Sequence, residues 1–434
     1  MKVCKFGGTS LANAVQIEKV IKIIQSDPER RCIVVSAPGK RNSQDKKITD
    51  LLHELPRNYG INRKYSDATL VTIKDRYFEI AGDLGIRIDL ESEFDEIERS
   101  FYSGCSLDYL ISRGEYLSGK IVSTALGYDF VDPADCIFFN NQGRCVKSFS
   151  HFKPKFSGRK IVVPGFYGSM PDGSIKTFSR GGSDITGAIV ASAVGAEVYE
   201  NWTDVSGLLM TDPKIVSRPK KIEIVTYREL RELSYMGASV FHEEATFPVQ
   251  KAGIKINIRN TDNPNHPGTF VVPENGFQKG ENIITGIAGR KDFSVITVEK
   301  KMMNQEVGFV RIILTVLEEN NISFEHIPSG IDTVSIIIDN QQLSGKLEKV
   351  KTQIRDRCQP DKIESCPGMA MIAVVGRAMA YTPGVAAKVF TALSKEGINI
   401  RMINQGSSEI SIIIGVENGD YENAIRAIYG AFVE

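Results

Sequence analysis

The sequence is short of the residues that announce many functions. One tryptophan and five histidines are spread through 434 residues. The histidines are unclustered, which argues against a structural or catalytic transition-metal site. Seven cysteines, at 4, 32, 105, 136, 145, 358 and 366, are odd in number and show no C-x-x-C spacing. A disulfide framework is therefore not expected, and a reduced cytoplasmic setting is. Charge of one sign is missing too: 53 Lys+Arg balance 53 Asp+Glu, leaving no electrostatic footprint for a nucleic acid or an anionic membrane. No apolar run nears the ~20 residues of a transmembrane helix. The opening Met1-Lys2-Val3-Cys4-Lys5-Phe6-Gly7-Gly8 breaks off too early to read as a signal peptide. What remains, 42% hydrophobic and 24% charged, is an ordinary globular composition, and the length predicts two or three domains.

Against that plain background the stretch Ser179-Arg180-Gly181-Gly182-Ser183-Asp184 stands out. A strand-like run, Ile161 to Tyr167, and a hairpin signal, Pro171-Asp172-Gly173-Ser174, precede it. The apolar run Ile185 to Val194, ending at Gly195, predicts a buried helix with a glycine C-cap. Two readings stand side by side. Adjacent glycines before a helix N-terminus expose backbone N–H groups to an anion, with Arg180 as a fixed positive fork. Equally, Ser183 or Asp184 is an ordinary N-cap and the glycines serve a tight turn.

The N-terminus repeats the theme. Met1 to Phe6 predicts a strand, Gly7-Gly8-Thr9-Ser10 a glycine loop, and Ala14, Ile17, Ile21 and Ile24 one face of a helix. The loop is neither Walker A nor G-x-G-x-x-G. With Lys5 just ahead of it, it is a phosphate cradle or a tight βα turn whose lysine faces water. Cys32 to Val35 gives a second strand ending in Ser36-Ala37-Pro38-Gly39, and Thr49 opens a piece made periodic by Leu51, Leu52 and Leu55. Lys64 to Cys105 reads as amphipathic helices, a layer or lid. Leu110 to about Leu126 reads as a helix on which a lone glutamate, Glu115, would ordinarily be solvated. Ala196 to Asn201 predicts a strand before Trp202-Thr203-Asp204-Val205-Ser206-Gly207. Helices are expected at Tyr227 to Leu233 and Ser239 to Ala252, and a strand at Lys255 to Asn260. Strands ending in small polar residues before helices are the α/β pattern, with ligands at the strands' carboxyl ends.

Beyond the Gly-rich, polar Glu274 to Asn282 the chain repeats itself. Gly308 falls on Gly384, an offset of 76 (384 − 308), and no gap is needed through Ile338 and Ile414. Ser335-Ile336-Ile337-Ile338 meets Ser411-Ile412-Ile413-Ile414. Each copy reads as a βαββαβ-like unit whose sheet wants a partner, so the copies are expected to pair. Whether the strand around Ile283 to Ile287 joins the second copy's sheet is open at this level.

Lys5-Phe6-Gly7-Gly8-Thr9-Ser10, Ser179 to Asp184 and Trp202 to Gly207, followed by the tandem repeat, together resemble the monofunctional aspartokinases over essentially the whole length. The resemblance implies an α/β fold: an αβα sandwich of the amino-acid-kinase type over 1–280, with a largely parallel sheet. Two ferredoxin-like ACT domains would follow at 281–365 and 366–434. It implies ATP-dependent phosphorylation of the L-aspartate β-carboxylate, with Mg²⁺ arriving on the ATP, and no homoserine dehydrogenase region is expected to follow. Lys5 and Asp184 are the catalytic pair, Asp184 orienting Lys5. Ser36, Thr49, Glu115, Phe166, Arg180 and Ser183 correspond to aspartate contacts, with Arg180 on the α-carboxylate and Glu115 on the α-ammonium. Lys5, Gly7, Gly8, Thr9, Ser10, Thr203, Asp204, Leu209, Lys214, Ser239 and Val240 correspond to ATP contacts. The chain departs from the family pattern on the nucleotide side: Leu209 stands for a frequent Tyr, Lys214 for Arg, Ser239 for Lys, and His242-Glu243 for His-Pro. Met303, Gly308, Phe309, Val310 and Glu325 resemble a lysine effector site, lysine and threonine being the family's usual effectors. Dimers or tetramers through the ACT pair are implied as well. The competing expectations are a same-fold kinase for another acceptor and a catalytically silent amino-acid sensor.

Overall fold

Strands rich in Val and Ile with little alternation, such as Cys32-Ile33-Val34-Val35 and Ile161-Val162-Val163, demand cover on both faces, as in a parallel α/β sheet. A computed structural model describes residues 1–434 except 147–155, 157, 180, 239–245, 275–281 and 434. The chain gathers into two compact units. The first comprises Met1–Leu208, Lys221–Leu230 and Ser239–Phe277; the second comprises Leu209–Lys220, Arg231–Ala238 and Gln278–Glu434.

The principal elements of the first unit are β1 (Lys2–Phe6), α1 (Ala14–Gln25), β2 (Arg30–Val35), α2 (Ile48–Ile61), α3 (Arg63–Asp83), α4 (Leu90–Tyr102) and α5 (Leu107–Leu126). They continue with β3 (Asp129–Phe130), β4 (Ile161–Pro164), α6 (Gly182–Val194), β5 (Val198–Thr203), β6 (Ile224–Thr226), β7 (Lys255–Asn260) and β8 (Thr269–Val272). The strands form one sheet in the order β6-β8-β7-β5-β1-β2-β4-β3. Every neighbouring pair is parallel except β7–β8. Of the helix expected over 239–252, the described part is Thr246–Lys251.

Alternation along β1 decides what each face carries. Cys4 and Phe6 join Ile33 and Val35 in a core completed by α1 to α5. Val3 and Lys5 point to the other face, which α6 covers. Trp202 belongs to the first face, stacked 5.9 Å from Phe6, its indole N–H donating to buried Glu200 at 2.9 Å. Its role is packing. The chain adds β2 and β4 on one side of β1 and β5 on the other. The carboxyl ends of β1 and β5 therefore flank the switch point where such sheets hold ligands.

Glycine lets α6 lie close to the sheet. A Cβ on Gly187 would sit 2.4 Å from the hydroxyl of fully buried Tyr199. Gly187→Ala is expected to lower stability by about 1–3 kcal/mol through overpacking, although helix propensity alone favours alanine by roughly 1 kcal/mol. Urea denaturation measures the sign, and an unchanged or higher midpoint would refute the packing account.

The second unit contains β9 (Gly286–Glu299), α7 (Phe309–Glu319), β10 (Thr333–Asp339), α8 (Leu347–Cys358), β11 (Lys362–Val375), α9 (Val385–Lys395), β12 (Met402–Gln405), β13 (Ser411–Glu417) and α10 (Tyr421–Val433). They make one antiparallel sheet, β10-β9-β11-β13-β12. Gly308 and Gly384 open equivalent helices with the same left-handed φ of 87°. The repeat is thus structural, and the copies do pair. They also exchange strands. In β9 the half Gly286–Arg290 pairs with Met371–Val375, while Phe293–Glu299 pairs with the earlier part of β11. The half-strand that precedes the first copy completes the second copy's sheet. The crossing is marked by Asp292 at φ 70°, braced by Asn418 at 2.8 Å, and by Gly368 at φ 82°.

The copies differ at their second strand. Where the second has β12, the first makes only isolated bridges, His326 to Ile337 and Ser329 to Val334. Pro328 lies between them and has no N–H to donate to a ladder.

Candidate active site

The four central strands deliver their ends to one place. Gly7 N–H donates to the Trp202 carbonyl at 3.0 Å, Ser36 N–H to the Phe6 carbonyl at 3.2 Å, and Gly165 N–H to the Val35 carbonyl at 2.8 Å. The loops after β1, β2, β4 and β5 are thereby tied edge to edge. Gly39 N–H reaches the Gly8 carbonyl at 2.8 Å, closing the second loop over the first.

Lys5 does not face water. Its Nζ lies 2.7 Å from Asp184 Oδ1, with side-chain exposures of 9% and 16%. The same oxygen accepts from Asn201 Nδ2 at 2.7 Å, and Tyr199 OH donates to the Asp184 carbonyl at 3.1 Å. A Cβ on Gly7 would stand 3.5 Å from Nζ, an ordinary contact. Asp184 is delivered by the first turn of α6. Gly181 caps that helix in the left-handed region at φ 62°, and no side chain caps it. Neither Ser183 nor Asp184 is an N-cap: the αL glycine turns the chain so that Asp184 lies in the first turn and reaches Lys5. Arg180, immediately before the cap, lies outside the described residues.

Close packing fixes the loop opposite. A Cβ on Gly182 would meet the Phe166 ring at 2.5 Å. Phe166 itself has φ 82°, a strained value for a non-glycine residue. It is held by its N–H to Thr186 Oγ1 at 3.0 Å and by Phe178 N–H to its carbonyl at 2.9 Å. Buried Ser183 packs against Gly165. Phe166 also borders a cavity of about 910 Å³ lined in part by Asp108, Lys176, Ser179 and Ile185.

Glu115 is the largest departure from what a helix surface would suggest. Only 4% of it is exposed, because Gly114 brings α5 against the loop after β2. A Cβ there would stand 2.9 Å from that of Ala37. Burial pushes the Glu115 carboxyl up to about 8, opposed in part by the hydrogen bond it accepts from the Ala37 backbone. Among the described residues its Oε2 has no hydrogen-bond partner. A buried carboxyl oxygen without a partner is costly. Ser36 adjoins Ala37 in that loop, and half-buried Thr49 sits in the first turn of α2.

The nucleotide candidates divide. Thr9, Ser10, Thr203 and Asp204 line one cleft of about 240 Å³ with Lys40, Arg41 and Asp262. Within it the Ser10 hydroxyl is taken by Thr261 at 2.7 Å, and Thr203 Oγ1 donates to Asp204 at 3.1 Å. Leu209 and Lys214 belong to the Leu209–Lys220 segment of the second unit. Ser239 and Val240, like His242 and Glu243, lie outside the described residues. Among the described residues no group of three or more His, Cys, Asp or Glu could hold a metal by protein ligands alone.

In the second unit Met303 and Phe309 are buried in the core of the first copy. Gly308 caps α7, and Val310 is half-buried in its first turn. Glu325 accepts a hydrogen bond from Tyr235 OH. Its neighbour His326 bonds Asn404 of the second copy through Nδ1 at 2.7 Å, and burial lowers its pKa. No sequence motif marks Asn201, which strand register and alternation put on the same face as Lys5.

Known proteins share this fold. Residues 1–260 match the amino acid kinase family, and residues 372–432 match an ACT domain. The chain is 39% identical to aspartokinase 3 of Bacillus subtilis, covering 100% of this chain and 98% of that one. It resembles the crystal structure of Clostridium acetobutylicum aspartate kinase over the full length of both chains, at 50% identity and a TM-score of 0.93. Escherichia coli aspartokinase III with aspartate and ADP, in an R-state, is similar over both full lengths at 25% identity and a TM-score of 0.79. The same enzyme with lysine and aspartate, in a T-state, gives 26% and 0.76, again over both full lengths.

Proposed function

The chain belongs to the aspartokinases of the amino acid kinase family, and from that premise we propose that it phosphorylates the β-carboxylate of L-aspartate from MgATP under control of an amino-acid effector. The observation that carries the reading is the Lys5–Asp184 pair, 2.7 Å apart beside a glycine loop at the switch point of the sheet. Phosphoryl transfer asks a protein mainly to align two anions and neutralise charge. The acceptor carboxylate is ionised at neutral pH and needs no base. Asp184 therefore orients Lys5, and Lys5 stabilises charge on the transferred group. Gly7, Gly8, Thr9 and Ser10 flank the phosphates, and Thr203 and Asp204 stand across the cleft. Leu209, Lys214, Ser239 and Val240 serve the nucleotide by family resemblance. Mg²⁺ comes with the ATP, held by phosphates and water.

Glu115 offers its unpartnered oxygen to the α-ammonium of aspartate, and Arg180 takes the α-carboxylate in a bidentate grip. Ser36, Thr49, Phe166 and Ser183 complete the acceptor side. The effector is L-lysine, bound near Glu325, and the setting is the lysine, threonine and methionine branch of amino-acid synthesis. The protein is cytoplasmic and assembles as a dimer or tetramer through its ACT pair. A hydroxamate assay with ATP and either aspartate or glutamate tests the acceptor, and separate titrations of lysine and threonine test the effector. Turnover with aspartate and inhibition by lysine are expected. Turnover with glutamate alone, or with neither acid, would overturn the acceptor, and indifference to lysine would overturn the effector.

A further inference from the structure

We propose that Asn201 is a positioning residue for phosphoryl transfer, acting through Asp184 to hold Lys5. The inference rests on the reading of Lys5 given above. Its observation is a row of side chains across the sheet. Ile258 of β7, Asn201 of β5, Lys5 of β1, Val34 of β2 and Val163 of β4 are in register on neighbouring strands. All five are buried. The flanking three are apolar, as the interior of a covered parallel sheet requires. The two polar side chains stand next to each other at the centre, under α6, and both donate to one oxygen, Asp184 Oδ1, each at 2.7 Å.

Packing alone gives no reason for an amide there. A buried polar group is costly unless it is bonded, and an aliphatic residue would extend the row at no such cost. What an amide supplies is a neutral donor. A carboxylate oxygen held by Lys5 alone can swing with the lysine. Held also from β5, it is fixed relative to the sheet, and the ammonium it orients is fixed with it. Because Asn201 carries no charge, it leaves the positive charge of Lys5 available to the phosphates. Tyr199, the preceding residue on the same face, steadies the same point through the Asp184 carbonyl at 3.1 Å. Two adjacent inward side chains of β5 thus fasten one residue of α6, one by its backbone and one by its carboxylate.

The test is kinetic. In the full-length enzyme Asn201→Leu is expected to lower kcat by about tenfold to a hundredfold, the scale of losing precise alignment. KM for aspartate and for ATP is expected to stay within about threefold, since no ground-state contact is removed. Introduced into Asp184→Asn, the same change is expected to cost less than about twofold, because the group through which it acts is already lost. An unchanged kcat, or an equal fall in both backgrounds, overturns the proposal, the latter by leaving only a packing role. Asn201→Asp keeps the size should the leucine variant not fold. It replaces the donor by a second carboxylate and is expected to lower kcat at least as far, and wild-type kcat in that variant overturns the proposal too. A wild-type enzyme inert toward aspartate would instead defeat the acceptor assignment, so the two failures are distinguishable.

Discussion

Glu115→Gln is expected to make the protein more stable above pH 8 and a much poorer binder of aspartate. The two effects have one cause. Burial raises this carboxyl from 4.5 to about 8 in the folded chain, so between those values the folded state holds a proton that the unfolded state has released. Stability then falls as pH rises through that window. The contribution is fully present below about 4.5 and is lost by about 8. Glutamine has the same shape and never ionises. Its advantage is absent near pH 4.5, grows through the window, and reaches on the order of a few kcal/mol above pH 8.

The binding side runs the other way. An ammonium needs the ionised carboxylate, and removing one member of a buried charge pair costs about 2–5 kcal/mol. The aspartate KM should accordingly rise by at least about thirtyfold, while wild-type KM improves as pH rises toward 8 and the variant's does not. Thermal melts at pH 5, 7 and 9, with Michaelis curves at pH 7 and 8.5, read both. A lower melting point at pH 9, or an unaltered KM, would sink the account.

That carboxylate also shows where sequence reasoning stops. A glutamate on a helix reads as solvated. What buries it is the contact of Gly114 with Ala37, two residues 77 positions apart (114 − 37), and no local pattern encodes such a contact. Lys5 before a glycine loop was visible, as were the strands around it, because burial on both faces writes itself as runs of Val and Ile. The partner of Lys5 was suggested only by family resemblance, since proximity to Asp184 depends on how α6 crosses the sheet. The N-cap alternative at Ser183 and Asp184 was reasonable chemistry, but Gly181 at φ 62° resolves the turn by conformation instead. In the second unit the offset repeat announced two equivalent copies. It could not announce that each long strand serves both, because an internal repeat marks which residues correspond and not which halves pair. Pro328 did carry a local signal, the missing N–H, against a second strand in the first copy.

Lys5→Ala is expected to lower kcat by about 10²–10³-fold, the cost of removing a preorganised charge from a developing anion, with nucleotide still bound. Stability is the complication. Taking away the ammonium leaves Asp184, only 16% exposed, with Asn201 as its remaining side-chain donor among the described residues, and an uncompensated charge in such a place is destabilising. A fall in activity alone could therefore come from a distorted site. Adding Asp184→Asn to Lys5→Ala separates the two. The neutral pair removes the stranded charge, so the melting point should recover most of what Lys5→Ala loses, while kcat should stay at the level of Lys5→Ala. Recovery of both would mean that Lys5 matters only as a counter-ion for Asp184. Recovery of stability without turnover places the ammonium itself in the transfer step, and a nucleotide dissociation constant within about tenfold of wild type assigns the loss to the transition state and not to ATP capture.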